Sequence, residues 1–217
     1  MPMQTGWAIS TGSKRESINS ITDLKSHNRV GVSRIGSGSY VMSFVLADQQ
    51  GWLSPSSPPP FEFLPLQTFE KLRNGVNDST ADFFMWEHFT SKRYYDSGEI
   101  KRIGEIYTPW PSWQIVASTK IGEGRGDSRV EELFQKLDQG IRYFEGNVEE
   151  SVKYISTSLD YSEEDAREWL KTVRFAKGTR GVDGEVVEKT VGVLRKAGVI
   201  TGEGGLGVEE MVGVKRS

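Results

Sequence analysis

The chain has 217 residues, 36% of them hydrophobic and 26% charged, and a formal net charge of −3. That length is enough to bury a substantial core, and the mild negative charge argues against broad binding to nucleic acid or to an anionic membrane. Cysteine is absent and His27 and His88 are the sole histidines, which excludes disulfides, thiolate and multi-histidine metal sites, iron–sulfur clusters and a cysteine nucleophile. No metal and no cofactor is expected.

The opening residues, MPMQTGWAISTGSKRES, contain no apolar signal-peptide core. No run approaches the roughly 18 apolar residues of a spanning helix. The expected location is therefore the cytoplasm. Residues 6–10 (GWAIS) read as a short strand. Ser20 and Asp23 then form a helix-start signature before a single turn. Residues 30–33 read as a second strand, and a glycine/serine turn leads into a helix from about Ser39 to near Gly51. The proline/serine stretch 53–60 is an irregular connection. Residues 61–66 begin with strand-like alternation, and Thr68 caps a helix over Phe69, Leu72 and Val76. Residues 81–86 (ADFFMW) have the length and apolarity of a central parallel strand. A polar segment at 90–99 follows, with strands near 102–107 and at 113–118. Strands alternating with helices predict an α/β layer fold.

From Ser128 onward the pattern is helical only. Ser128 and Glu131 read as a capping box before Leu133, Phe134, Leu137, Ile141 and Phe144. Ser162 caps a further helix, and the last one stops at Gly198. The glycine-rich tail from Thr201 is expected to be mobile.

Chemistry concentrates in three places. The turn after the second strand carries Ser33, Arg34, Gly36, Ser37, Gly38 and Ser39. A helix N-terminus leaves amide groups without partners and carries partial positive charge, so it attracts an anion or a polar oxygen. The same residues also suit an ordinary serine-capped strand-to-helix turn, because the spacing matches neither nucleotide-binding glycine motif. Trp86, Glu87 and His88 fall at the carboxyl end of the expected central strand, where open α/β sheets place ligands. They suit a flat or cationic group, or equally a buried tryptophan with two solvated polar residues. Residues 107–113 (YTPWPSW) set Trp110 and Trp113 beside two prolines, as ligand walls or as packing. Unaided, these residues indicate an α/β ligand-binding protein.

The ordered blocks GWAISTGS, INSITDLK, RVGVSRIGSGSYVMSFVLA, TFEKLRNGVNDSTADFFMWE and PWPSWQIVAST resemble the type II periplasmic-binding-protein-like family. They lie nearest its sulfonate/nitrate/taurine-binding and thiamine-pyrimidine-precursor branch, and within it its fungal cytosolic members. The resemblance implies two α/β lobes joined by hinge strands, with GWAIS and SWQIVAS as the two crossings. On that reading residues 1–20 are the remnant of lobe 1 and the first hinge strand, and 21–112 are lobe 2. Residues 113–200 are the return strand and C-terminal helices that pack on lobe 1, and 201–217 form a flexible tail. Lobe 1 would be incomplete, because family members carry a further segment ahead of the GWAIS strand. Ser33, Arg34, Ser37, Gly38 and Ser39 would hold an anionic head group, while Ser10, Thr11, Trp86, Glu87 and Trp113 would face the interlobe cleft. The implied function is solute binding of a small organic anion or heteroaromatic molecule, with no nucleic-acid or membrane partner. A thiamine-pyrimidine-precursor synthase and a degenerate non-binding relative are the alternatives. The synthase reading suffers from the missing cysteines, so no catalytic residue is assigned.

Overall fold

The computed structural model describes residues 6–53, 60–118, 121, 127–159, 161–196, 198–200 and 207–216. The chain divides into two compact units, one built on Thr5–Thr108 and the other on Pro109–Gly192.

The first unit is a five-stranded sheet ordered β3-β2-β4-β1-β5. Its strands are β1 (Gly6–Gly12), β2 (Arg29–Val32), β3 (Glu62–Pro65), β4 (Phe83–Glu87) and β5 (Ile100–Tyr107). β2 runs parallel to β3 and β4, whereas β1 runs antiparallel to both β4 and β5. The GWAIS strand is therefore an interior strand of this sheet. The carboxyl ends of β2, β3, β4 and β5 and the amino end of β1 share one edge. Tyr107 pairs with Gly6 there, and Glu87 with Trp7.

Helices α1 (Gly38–Gln49), α2 (Phe69–Asn77) and α3 (His88–Asp96) cover the sheet. Side chains alternate across a strand, so register assigns each to a face. Val30, Phe63, Phe83, Met85, Ile9 and Trp7 share the face of α1. On it Tyr40 and Phe44 pack their rings 4.5 and 5.2 Å from Phe63. Gly31, Phe84, Trp86 and Ala8 share the opposite face, under α2. A Cβ on Gly31 would lie 3.0 Å from Leu72, so glycine is what lets α2 sit this close.

The amino edge is tied by one carboxylate. Asp82, 3% exposed, accepts from Nη2 of Arg15 at 2.7 Å and from Arg29 through Nη2, Nε and the backbone amide at 2.9–3.1 Å. Burial alone would raise its pKa, but the bonds from Arg29 and Arg15 outweigh that and hold it below the usual carboxylate value.

The second unit holds α4 (Ser128–Gly146), α5 (Val148–Ser158), α6 (Glu163–Thr172) and the short α8 (Val208–Met211). Helix α7 (Gly184–Lys196) begins in it. Val152, Ile155 and Ala166 form a core between α5 and α6, backed by Phe144 and Trp169. No helix among the described residues is long and apolar enough to cross a membrane.

Several sequence expectations hold. Ser20 donates its amide and hydroxyl to Asp23, Thr68 caps α2, Ser162 caps α6, and Gly198 has a φ of +69°. Others do not. The polar segment 90–99 lies largely within α3, whose cap is the carboxylate of Glu87, the last residue of β4. Residues 113–118 form no strand, because no other described strand pairs with them; Trp113 is 78% and Val116 89% exposed. The cap of α4 is Asp127, which accepts from the amide of Arg129, and Ser128 is the first helical residue. In the tail, residues 201–206 lie outside the described residues, as do 54–59 of the proline/serine connection. The tail beyond holds α8 and a bridge between Lys215 and Val182.

Candidate functional site

The carboxyl edge of the sheet is where the candidate residues gather. After β2 the chain turns through Ser33–Gly36. Gly36, at φ +77°, occupies the left-handed region that disfavours a side chain. Ser37 then caps α1, its hydroxyl accepting from the amide of Tyr40 at 3.3 Å. Its oxygen also lies 3.1 Å from that of Ser39, and both serines are buried. Their hydroxyls thus hold the turn in shape. The amides of Gly38 and Ser39, in the first turn, have no intrahelical acceptor. Gly38 itself is exposed, as is Arg34, and Ser33 is half-buried.

Two neighbours shape this turn. The connection after β3 is laced to it, the amide of Leu66 donating to Val32 at 2.8 Å and that of Gln67 to Ser33 at 3.1 Å. Gln67 holds a φ of +72°, a conformation that costs a residue with a side chain about 1 kcal/mol. On the other side Trp7 leans its indole on Gly38, where an added Cβ would fall 2.8 Å from Cη2. The Trp7 Nε1 is buried without a hydrogen-bond partner. Neither residue was singled out from sequence. Trp7 sat within an apparent strand, and only its register opposite Glu87 brings it to this edge.

The remaining candidates lie away from this turn or are already engaged. Ser10 and Thr11 are fully buried, with their hydroxyls bonded to Tyr95 at 2.6 Å and to the carbonyl of Asp82 at 2.7 Å. Neither faces open space, because both belong to an interior strand. Trp86 is on the α2 face, its ring stacked 4.9 Å from Phe69, across the sheet from the serine turn. Glu87 is engaged as the α3 cap through Thr90, at 2.7 Å to the amide and 2.9 Å to the hydroxyl. Trp113 belongs to the helical unit. Burial, then the charge of Arg102, pushes the His88 pKa below its ordinary value. Among the described residues no cluster of histidine and carboxylates suits a metal ion.

Residues 7–106 match the family model described as Ca3427-like PBP, for periplasmic binding protein. This stretch is similar to the Ca3427-like periplasmic-binding-protein family. A solved Candida albicans protein, the CA3427 gene product, is described as defining a new family with the generic periplasmic-binding-protein fold. It is 44% identical, with a TM-score of 0.82, over 93% of this chain and 65% of its own. The chain thus spans about 65% of that relative's length. The Escherichia coli aliphatic sulphonate binding protein SsuA superposes with a TM-score of 0.65 at 13% identity, over 98% of this chain and 70% of its own. The Xanthomonas axonopodis alkanesulfonate-binding SsuA, bound to MOPS, gives 0.65 at 15% identity, over 92% and 70%. These two likenesses are of fold. Comparison with curated proteins finds no match.

Proposed function

We propose that this chain binds a small organic anion at the carboxyl edge of its sheet, as a solute-binding-type module. The observation that carries this reading is the first turn of α1. There the exposed Gly38 and the adjoining amide of Ser39 leave N–H groups free at the positive end of a 12-residue helix. Arg34, exposed and without an ion-pair partner among the described residues, supplies a mobile cation beside it. Trp7 forms a wall. The sulfonate ligands named for structures of the same fold support an anionic head group, and the identity to the Candida albicans protein supports the fungal branch. Trp86 is stacked on Phe69 and is left out of the site.

Isothermal titration calorimetry with methanesulfonate, MOPS and a short dicarboxylate tests the reading. Saturable binding is expected, weakened by about 1.5–3 kcal/mol in Arg34→Ala, the range for hydrogen bonds to charged groups. No heat and no thermal shift with any of the three overturns it. Equal affinity in Arg34→Ala removes that residue from the site.

A further inference from the structure

His88 begins α3, directly after the β4 strand, and its Nδ1 is buried without a hydrogen-bond partner. The ring lies near-parallel to Tyr95 at 6.2 Å and edge-on to Phe89 at 4.9 Å. Tyr95 is itself held by Ser10 of β1 at 2.6 Å. The charges facing the imidazole are Glu87 from β4, Lys92 from α3, and Arg102 and Glu105 from β5. Arg102 and Glu105 already pair at 2.5 Å. Burial, Arg102 and Lys92 oppose a positive ring, as does the positive end of α3. Of the two opposing carboxylates, Glu87 has other work. Its Oε2 accepts the amide and hydroxyl of Thr90 and so caps the helix.

We propose that His88 is an acid-operated release for the first turn of α3: protonation draws the Glu87 carboxylate off Thr90, uncaps the helix and loosens the β4–α3 corner. The closed corner suits a neutral imidazole, whose orphan nitrogen is tolerated because rings pack around it. At Nδ1 the charged ring has no acceptor, and of the two carboxylates that face it, Glu87 and Glu105, the one not already paired with a cation is the cap. The His88 pKa is pushed down from 6.5, chiefly by burial, so the open form takes up the proton more readily. Opening therefore grows as pH falls below about 6.5, and does not depend on pH above it. This holds whether or not an anion binds at α1.

Hydrogen exchange of the α3 amides, corrected for the intrinsic rate, reads the opening at about pH 7.5 and about pH 5.5. The wild-type chain is expected to open α3 at least about threefold more in acid, with α1 and α2 unchanged. His88→Gln and Glu87→Gln, which remove the proton acceptor and the attracted carboxylate, are each expected to flatten that response. An acid response that persists in His88→Gln, or none in the wild type, overturns the proposal. A titration of the imidazole C2 proton needs no folded His88 variant. With two histidines in the chain, His27→Gln assigns the signals, and a His88 midpoint at or above 6.5 overturns it too.

Discussion

The two edges of the sheet are built on opposite principles. At the amino edge Asp82 is buried, and its oxygens accept from Arg15 and Arg29, so each charge of that cluster has a partner. At the carboxyl edge groups go unmatched. Trp7 Nε1 and His88 Nδ1 are buried without partners, and the first amides of α1 lack acceptors. Buried polar groups are normally satisfied, so a concentration of exceptions at one edge marks where other demands outweigh stability.

The largest effect that sharpens this contrast is expected at Asp82. Asp82→Ala removes the partner of two guanidinium groups, and because the Arg29 side chain is 37% exposed the expected loss is about 3 kcal/mol, the low end for breaking a buried ion pair. Urea denaturation checks it, and a loss below about 1 kcal/mol would mean that the amino edge is not the anchor. The same carboxylate fixes a pH dependence. Its folded pKa lies below the ordinary 3.8, so its contribution is full above that value and is lost as pH falls through the folded pKa. Acid unfolding of wild type and Asp82→Asn, followed by circular dichroism, should differ in that range and converge below it.

Gly38→Ala comes next. The new Cβ would meet the Trp7 ring, and overpacking of this kind costs about 1–3 kcal/mol. A variant as stable as wild type would show that the indole is free to move off the turn. The smallest effect belongs to Thr68→Ala, which removes the α2 cap for about 1 kcal/mol. Because Thr68 adjoins Gln67, an additional loss of anion affinity there would show that the lacing of the two connections shapes the site. Affinity unchanged would confine its role to the helix.

Much of the local structure was readable in advance. The strand at GWAIS, the caps Ser20, Thr68 and Ser162, and the helix opened by the serine turn all follow from neighbours within a few residues. The α3 helix escaped notice because its cap is a glutamate that also ends a strand, rather than one of the serine, threonine, aspartate or asparagine residues that mark a helix start. The stretch 113–118 failed for the converse reason. Its β-forming composition is intact, but a strand forms only against a partner, and no described strand supplies one.

The candidate site divides along the same line. The serine, glycine and arginine residues around α1 could be named from the turn alone, since a helix start advertises itself in its residues. Which of them stay open, and that Trp7 rather than Trp86 stands beside them, depended on register: β1 runs antiparallel next to β4, which sets Trp7 across from Glu87 and on the α1 face. Turn and cap chemistry acts over three or four residues and is written in the chain. Strand partners are chosen across the whole fold, and a shift of one residue would exchange every face.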